Sequence, residues 1–107
     1  MNRSKPPRKK TSKLKAKQAK DLVLKQQIHE RDGWKCVRCN RASYLQAAHV
    51  WPKGKYDKLR HVADNLLTLC AGCHLWWHHD SPVVVGAWFA NMYPERAALL
   101  CELKLKG

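Results

Sequence analysis

Two paired cysteine turns frame the middle of the chain: Cys36-Val37-Arg38-Cys39, and Cys70-Ala71-Gly72-Cys73 running directly into His74-Leu75-Trp76-Trp77-His78. A Cys-x-x-Cys turn aims two sulfurs at one ion, and a second such turn completes the tetrahedral shell that zinc prefers. The 30 residues from Asn40 to Leu69 separate the two turns, more than a short zinc ribbon holds. The insert must therefore be a folded unit whose ends the metal clamps together. Four unligated core cysteines is the competing and weaker reading. Cys70-Ala71-Gly72-Cys73-His74 also matches a c-type haem attachment pattern, but that reading requires export and leaves Cys36 and Cys39 without a purpose. Cys101 is left over and reads as a buried apolar residue on the last helix.

The composition fits this picture. Lys and Arg number 21 against 8 acids, a formal net charge of +13 on 107 residues. Such an excess points to a polyanion, most simply DNA or RNA, with an acidic membrane surface as the competing partner. The length allows one domain, and a core this small commonly needs a metal staple. No apolar run approaches the roughly 20 residues that span a bilayer. The basic N-terminus has no apolar stretch behind it, so it does not read as a secretory signal, and a reducing, cytoplasmic setting is expected.

Residues 1–20 hold nine Lys or Arg, no acid, and Pro6-Pro7. They read as a disordered basic arm, turning helical near its end, that lies on phosphates through residues such as Lys9 and Lys10; a merely solubilising tail is the alternative. The remainder, 21–107, reads as one domain. Asp21 is expected to cap a short helix that stops at Gly33. A strand is expected over Tyr44–Trp51, then a polar loop over Pro52–Asp64 whose Lys53, Lys55 and Arg60 are further phosphate contacts. A second short strand follows at Leu66–Leu69 and a helix at Ala71–His79. Ser81-Pro82 places a cap before a proline at the first helical position, predicting a helix from Pro82 to about Asn91. Pro94 opens a last helix, Pro94–Leu103. The class is α+β.

His74 and His78 are four apart, so on a helix they share a face and can bind one metal ion. Two surface histidines would be the default for an isolated pair, but here Cys70 and Cys73 anchor the start of the helix. His79 turns off that face and reads as solvent-facing. His49 lies on the expected strand; a lone histidine there is more often structural, yet its imidazole is able to take a proton from water near pH 7. Asn65, after Asp64, is a turn residue by default, and otherwise a side-chain amide that holds the loop and orients His49.

Three stretches carry a resemblance: Arg31-Asp32-Gly33-Trp34-Lys35-Cys36-Val37-Arg38-Cys39, then Leu45-Gln46-Ala47-Ala48-His49, then Asp64-Asn65-Leu66-Leu67-Thr68-Leu69-Cys70-Ala71-Gly72-Cys73-His74. Together they resemble the HNH endonuclease family of the four-cysteine zinc type, most closely small bacteriophage members, over about residues 30–79. The resemblance implies a small ββα-metal (His-Me finger) domain with two zinc knuckles and flanking helices. It implies a metal-dependent DNA endonuclease acting in the cytoplasm of a bacterial host, as a monomer or a dimer on DNA. By the same resemblance His49 falls on the general base, Asn65 on the residue that supports it, and His74 and His78 on the ligands of a divalent ion such as Mg²⁺, Mn²⁺, Ni²⁺ or Zn²⁺. Cys36, Cys39, Cys70 and Cys73 would hold a structural Zn²⁺. One position departs: the residue before the base often binds the metal, and here it is Ala48, with Asp64 as the nearby acid that could compensate. A non-catalytic, zinc-stabilised nucleic-acid-binding protein on the same scaffold accounts for the charge and the cysteines, but not for the histidine spacing.

Overall fold

The computed structural model describes residues 12–52 and 57–106. Its first helix, α1 (Ser12–Arg31), starts well before Asp21. Lys, Ala, Gln and Leu are good helix formers, so the helix reaches back into the segment expected to be a disordered arm, and Asp21 sits in its interior rather than at its cap. Residues 1–11, with Lys9 and Lys10, lie outside the described residues. The helix stops as expected at Gly33, whose φ is +73°. The Gly33 N–H donates to Glu30 O at 3.1 Å and the Trp34 N–H to His29 O at 2.8 Å, the paired bonds that close a helix through a left-handed glycine.

The first cysteine turn follows. Asn40, at φ +67°, lets the chain fold back, with its N–H on Cys36 O at 2.9 Å and the Cys36 N–H on Arg41 O at 2.8 Å. Strand β1 is Leu45–His49, shorter than expected, and β2 is Leu66–Cys70. They pair antiparallel, His49 opposite Leu66 and Leu45 opposite Cys70. All five residues of β2 are buried, because the sheet is covered on both faces. On one side Ile28 and His29 of α1 cover it. On the other lies the core of Cys36, Ala48, Leu67, Leu69, Cys70, Cys73, Phe89 and Leu100. The loop between the strands contains single 3-10 turns at Asp57–Leu59 and Ala63–Asn65.

Cys70 ends β2 and also caps helix α2 (Ala71–His79), its sulfur accepting from the Cys73 N–H at 3.5 Å. Helix α3 (Pro82–Met92) begins as the Ser81-Pro82 signal predicts, with Ser81 Oγ accepting from the Val83 N–H at 3.3 Å. Helix α4 (Pro94–Lys106) packs beside it. A chain of edge-on aromatic contacts ties α2 to α3: Trp76–Trp88 at 5.6 Å, Trp77–Trp88 at 6.2 Å and Trp77–Phe89 at 6.1 Å. Leu100 is the residue that α4 buries in this core, so Cys101, the next residue along, turns outward; it is exposed, not buried as expected. Among the described residues no helix is long and apolar enough to cross a membrane.

Candidate functional site

The two cysteine turns converge. The sulfurs of Cys36, Cys39, Cys70 and Cys73 all lie within 4.8 Å of one another, with Cys39 Sγ and Cys70 Sγ 3.6 Å apart. A tetrahedral zinc with Zn–S bonds of about 2.3 Å would set its sulfurs about 3.8 Å apart, so the cluster fits the ion. Three of the four cysteines are buried and Cys39 is exposed. Burial pushes the Cys36 thiol up, but hydrogen bonds from the backbone of Cys70, Cys39 and Arg38 outweigh it and bring the thiol down to about 7. Burial raises Cys73. Arg38, stacked 3.8 Å over the Trp76 ring, is the one side-chain cation seen on the cluster among the described residues, 3.5 Å from Cys73 Sγ.

One turn along α2, His74 and His78 face each other as the four-residue spacing predicts, their Nε2 atoms 2.9 Å apart and their ring centroids 4.6 Å apart. Two imidazoles bound at about 2.1 Å to one metal ion would have nitrogens about 3.0 Å apart at octahedral angles and about 3.4 Å apart at tetrahedral ones. The other nitrogen of His74, Nδ1, meets Gln46 Oε1. An amide oxygen only accepts, so Nδ1 carries the hydrogen and Nε2 presents its lone pair toward His78. Burial, then the neighbouring His78 and His49, hold the His74 pKa below its ordinary value, which keeps that lone pair free at neutral pH. His79 is exposed.

His49 is half-buried at the end of β1. Its backbone carbonyl accepts from the Trp77 indole N–H at 3.2 Å, which joins the strand to α2. Its Nε2 lies 3.1 Å from the Arg60 carbonyl; a carbonyl accepts, so Nε2 donates and Nδ1 is left as the acceptor. Asn65 is fully buried. Its Oδ1 accepts from the Trp51 N–H at 2.8 Å, and its Nδ2 donates to Trp51 O at 3.1 Å and Leu59 O at 3.0 Å. Its amide thus closes the loop by joining Trp51 to Leu59, the residue before Arg60. His49 and His74 line both of two clefts: a largely apolar one of about 840 Å³ under α3 and α4, which His78 also lines, and one of about 230 Å³ against α1.

The surroundings of three further residues are now defined. Ala48 is fully buried in the cysteine core, so its side chain serves packing. Asp64 faces Arg96 of α4 at 3.9 Å, and among the described residues only the four cysteines form a cluster of potential ligands. Arg60 is largely buried, with its guanidinium on Asp21, while Lys53 and Lys55 lie outside the described residues. The sequence took Asp21 for a helix cap and assigned no role at the site to Gln46 or to the arginines that brace the loop. Arg31 donates to Ala63 O at 2.9 Å and Leu66 O at 2.7 Å, and Arg96 donates to Leu66 O at 2.6 Å. An isolated Gln or Arg carries no spacing that would announce such a partner.

Comparison with curated proteins and with solved structures finds no match. A family model does match, described as HNH endonuclease, over residues 36–84. That span runs from the first cysteine turn through both strands and α2, and the antiparallel strand pair followed by a helix is consistent with a ββα-metal unit. Residues 36–84 are therefore similar to an HNH endonuclease domain, and they enclose a four-cysteine cluster that could hold a structural zinc.

Proposed function

We infer that this chain is a metal-dependent DNA endonuclease. The observation that carries the reading is the convergence of three imidazoles at one cleft, with His74 and His78 at the spacing of two ligands on one ion. Such an ion would polarise the scissile phosphate and stabilise the departing oxygen. The remaining work falls to the chain. His49, held through its Nε2–H by the Arg60 carbonyl, offers Nδ1 to take a proton from the attacking water. Asn65 keeps that carbonyl in place by closing the loop on Trp51 and Leu59. Gln46 fixes the ring of His74. The net charge of +13 draws the polyanion to the site.

One observation favours a second reading. With Ala48 in the core, β1 offers no metal ligand beside His49, as a non-catalytic, zinc-stabilised nucleic-acid-binding protein would allow. Nicking of a supercoiled plasmid in Mg²⁺, Mn²⁺ or Ni²⁺ decides between them. The expected result is cleavage by the wild-type chain and a loss of about 100-fold or more in His49→Ala, with DNA affinity retained. Binding without cleavage by the wild type in every metal would establish the second reading. Equal cleavage by His49→Ala would remove His49 from the mechanism.

A further inference from the structure

Asp21 is the only acidic residue in the first 29 of the chain. It sits inside a lysine-rich helix, where aspartate is a poor helix former, with Lys17 and Lys25 one turn away on either side as ready partners on the same helix face. The carboxylate reaches across 39 residues of sequence. Arg60 donates to it twice, Nε to Oδ1 at 3.1 Å and Nη2 to Oδ2 at 2.5 Å, with the two side chains 12% and 26% exposed. The next residue, His61, places Nε2 2.9 Å from Asp21 Oδ1 and 3.2 Å from the Lys17 carbonyl of the same helix. Two consecutive loop residues are thus fastened to α1.

Arg60 is the residue whose carbonyl holds the His49 ring. Asn65 grips the loop one residue earlier, at Leu59 O, and at Trp51. At Arg60 itself, Asp21 holds the side chain at two points. The same aspartate lines the smaller cleft with His49 and His74, so it stands beside the site while its carboxylate is occupied by the loop. Helix α1 lies outside the segment that the family model matches.

We propose that Asp21 is a positioning residue for the reaction: through the two-point contact with Arg60 it sets the backbone carbonyl that holds His49 in its Nε2–H tautomer. Helix α1 is by this account part of the active-site architecture and not only a basic extension. The proposal rests on His49 acting as the base.

The test uses the full, zinc-loaded chain. Asp21→Asn keeps the shape and removes the second acceptor for Arg60. Single-turnover DNA cleavage at saturating protein should fall on the order of tenfold, with the DNA dissociation constant unchanged within about twofold and the loss recovered at least in part by Asp21→Glu. Long-range nitrogen–proton NMR of the His49 ring should show one tautomer, Nε2–H, in the wild type and a mixture in Asp21→Asn. Arg60→Lys keeps the charge and the carbonyl but loses the two-point contact; it should show the same signature and stands in if Asp21→Asn does not fold. Wild-type cleavage together with a single Nε2–H tautomer in Asp21→Asn and Arg60→Lys would overturn the proposal. If the wild type binds DNA and cuts nothing, the nuclease reading fails by itself, and the His49 spectrum still decides whether Asp21 sets the ring.

Discussion

Asn65 concentrates more of the site's geometry than any other single side chain described. Three of its four hydrogen-bonding positions are used, on Trp51 N–H, Trp51 O and Leu59 O, and the residue is fully buried. Asn65→Ala would leave those three main-chain groups without their partner in a place water reaches poorly. Unsatisfied buried groups cost about 1–3 kcal/mol each, and partial relaxation of the loop should hold the total near 2–4 kcal/mol. A urea titration would measure this; a change below about 0.5 kcal/mol, the range of ordinary surface substitutions, would mean that the loop closes without the amide. Asn65 is also where sequence reasoning went part of the way. That an amide after Asp64 could hold the loop was legible from its place; that it would do so by binding both Trp51 and Leu59 was not. Ala48 shows the opposite case. From sequence it is a missing ligand, and in the fold it is a core residue beside Cys36 and Leu67, where a carboxylate would have to be desolvated.

At the scale of elements, α1 is joined to β2 by a small buried polar knot. His29 Nδ1 lies 2.9 Å from Thr68 Oγ1, and Asp32 Oδ2 accepts from the Thr68 N–H at 2.9 Å. Among the described residues His29 Nε2 is buried with no hydrogen-bond partner, so a charged ring would leave an N–H unmet there. Burial, then the charge of Lys25, lower the His29 pKa below its ordinary 6.5, with Asp32 pulling the other way. The sign follows from linkage: the unfolded chain takes up this proton first, so His29's contribution to stability is complete above about pH 6.5 and declines as pH falls below it. Thermal melts between pH 7.5 and pH 5 should therefore show a shallower loss of stability in His29→Leu than in the wild type, even though the variant starts lower for want of the Thr68 contact. Parallel slopes would mean that the folded protein protonates His29 without penalty. Element type was legible along most of the chain because its signals are local: the left-handed stop at Gly33, the Ser81-Pro82 cap, Pro94. The start of α1 was misplaced because an aspartate that looks like a cap was committed to a distant arginine.

At the scale of the whole molecule, the interior is small and sulfur-rich: Cys36, Cys70 and Cys73 belong to the same core as Leu67, Leu69, Phe89 and Leu100. Zinc on these thiolates would be coupled to folding itself. Cys36→Ser, or stripping the wild type with a strong chelator, should abolish the cooperative thermal transition, followed by circular dichroism alongside zinc content by atomic absorption. A zinc-free protein with an unchanged melting temperature would show that the aromatic contacts of Trp77, Trp88 and Phe89 suffice. The sequence by itself determined the pairing of the four cysteines, the paired histidines of α2, the α+β class and the basic charge, because metal-ligand spacing, helical periodicity and net charge are properties of neighbouring residues and of sums. Only the tertiary structure decided which groups aim the histidines. Gln46 meets His74 across 28 residues, His49 meets the Arg60 carbonyl across 11, and Arg60 meets Asp21 across 39. Contacts of that kind depend on how strands, loop and helix come together in space, and a single side chain brought to a distant partner leaves no period and no motif along the chain.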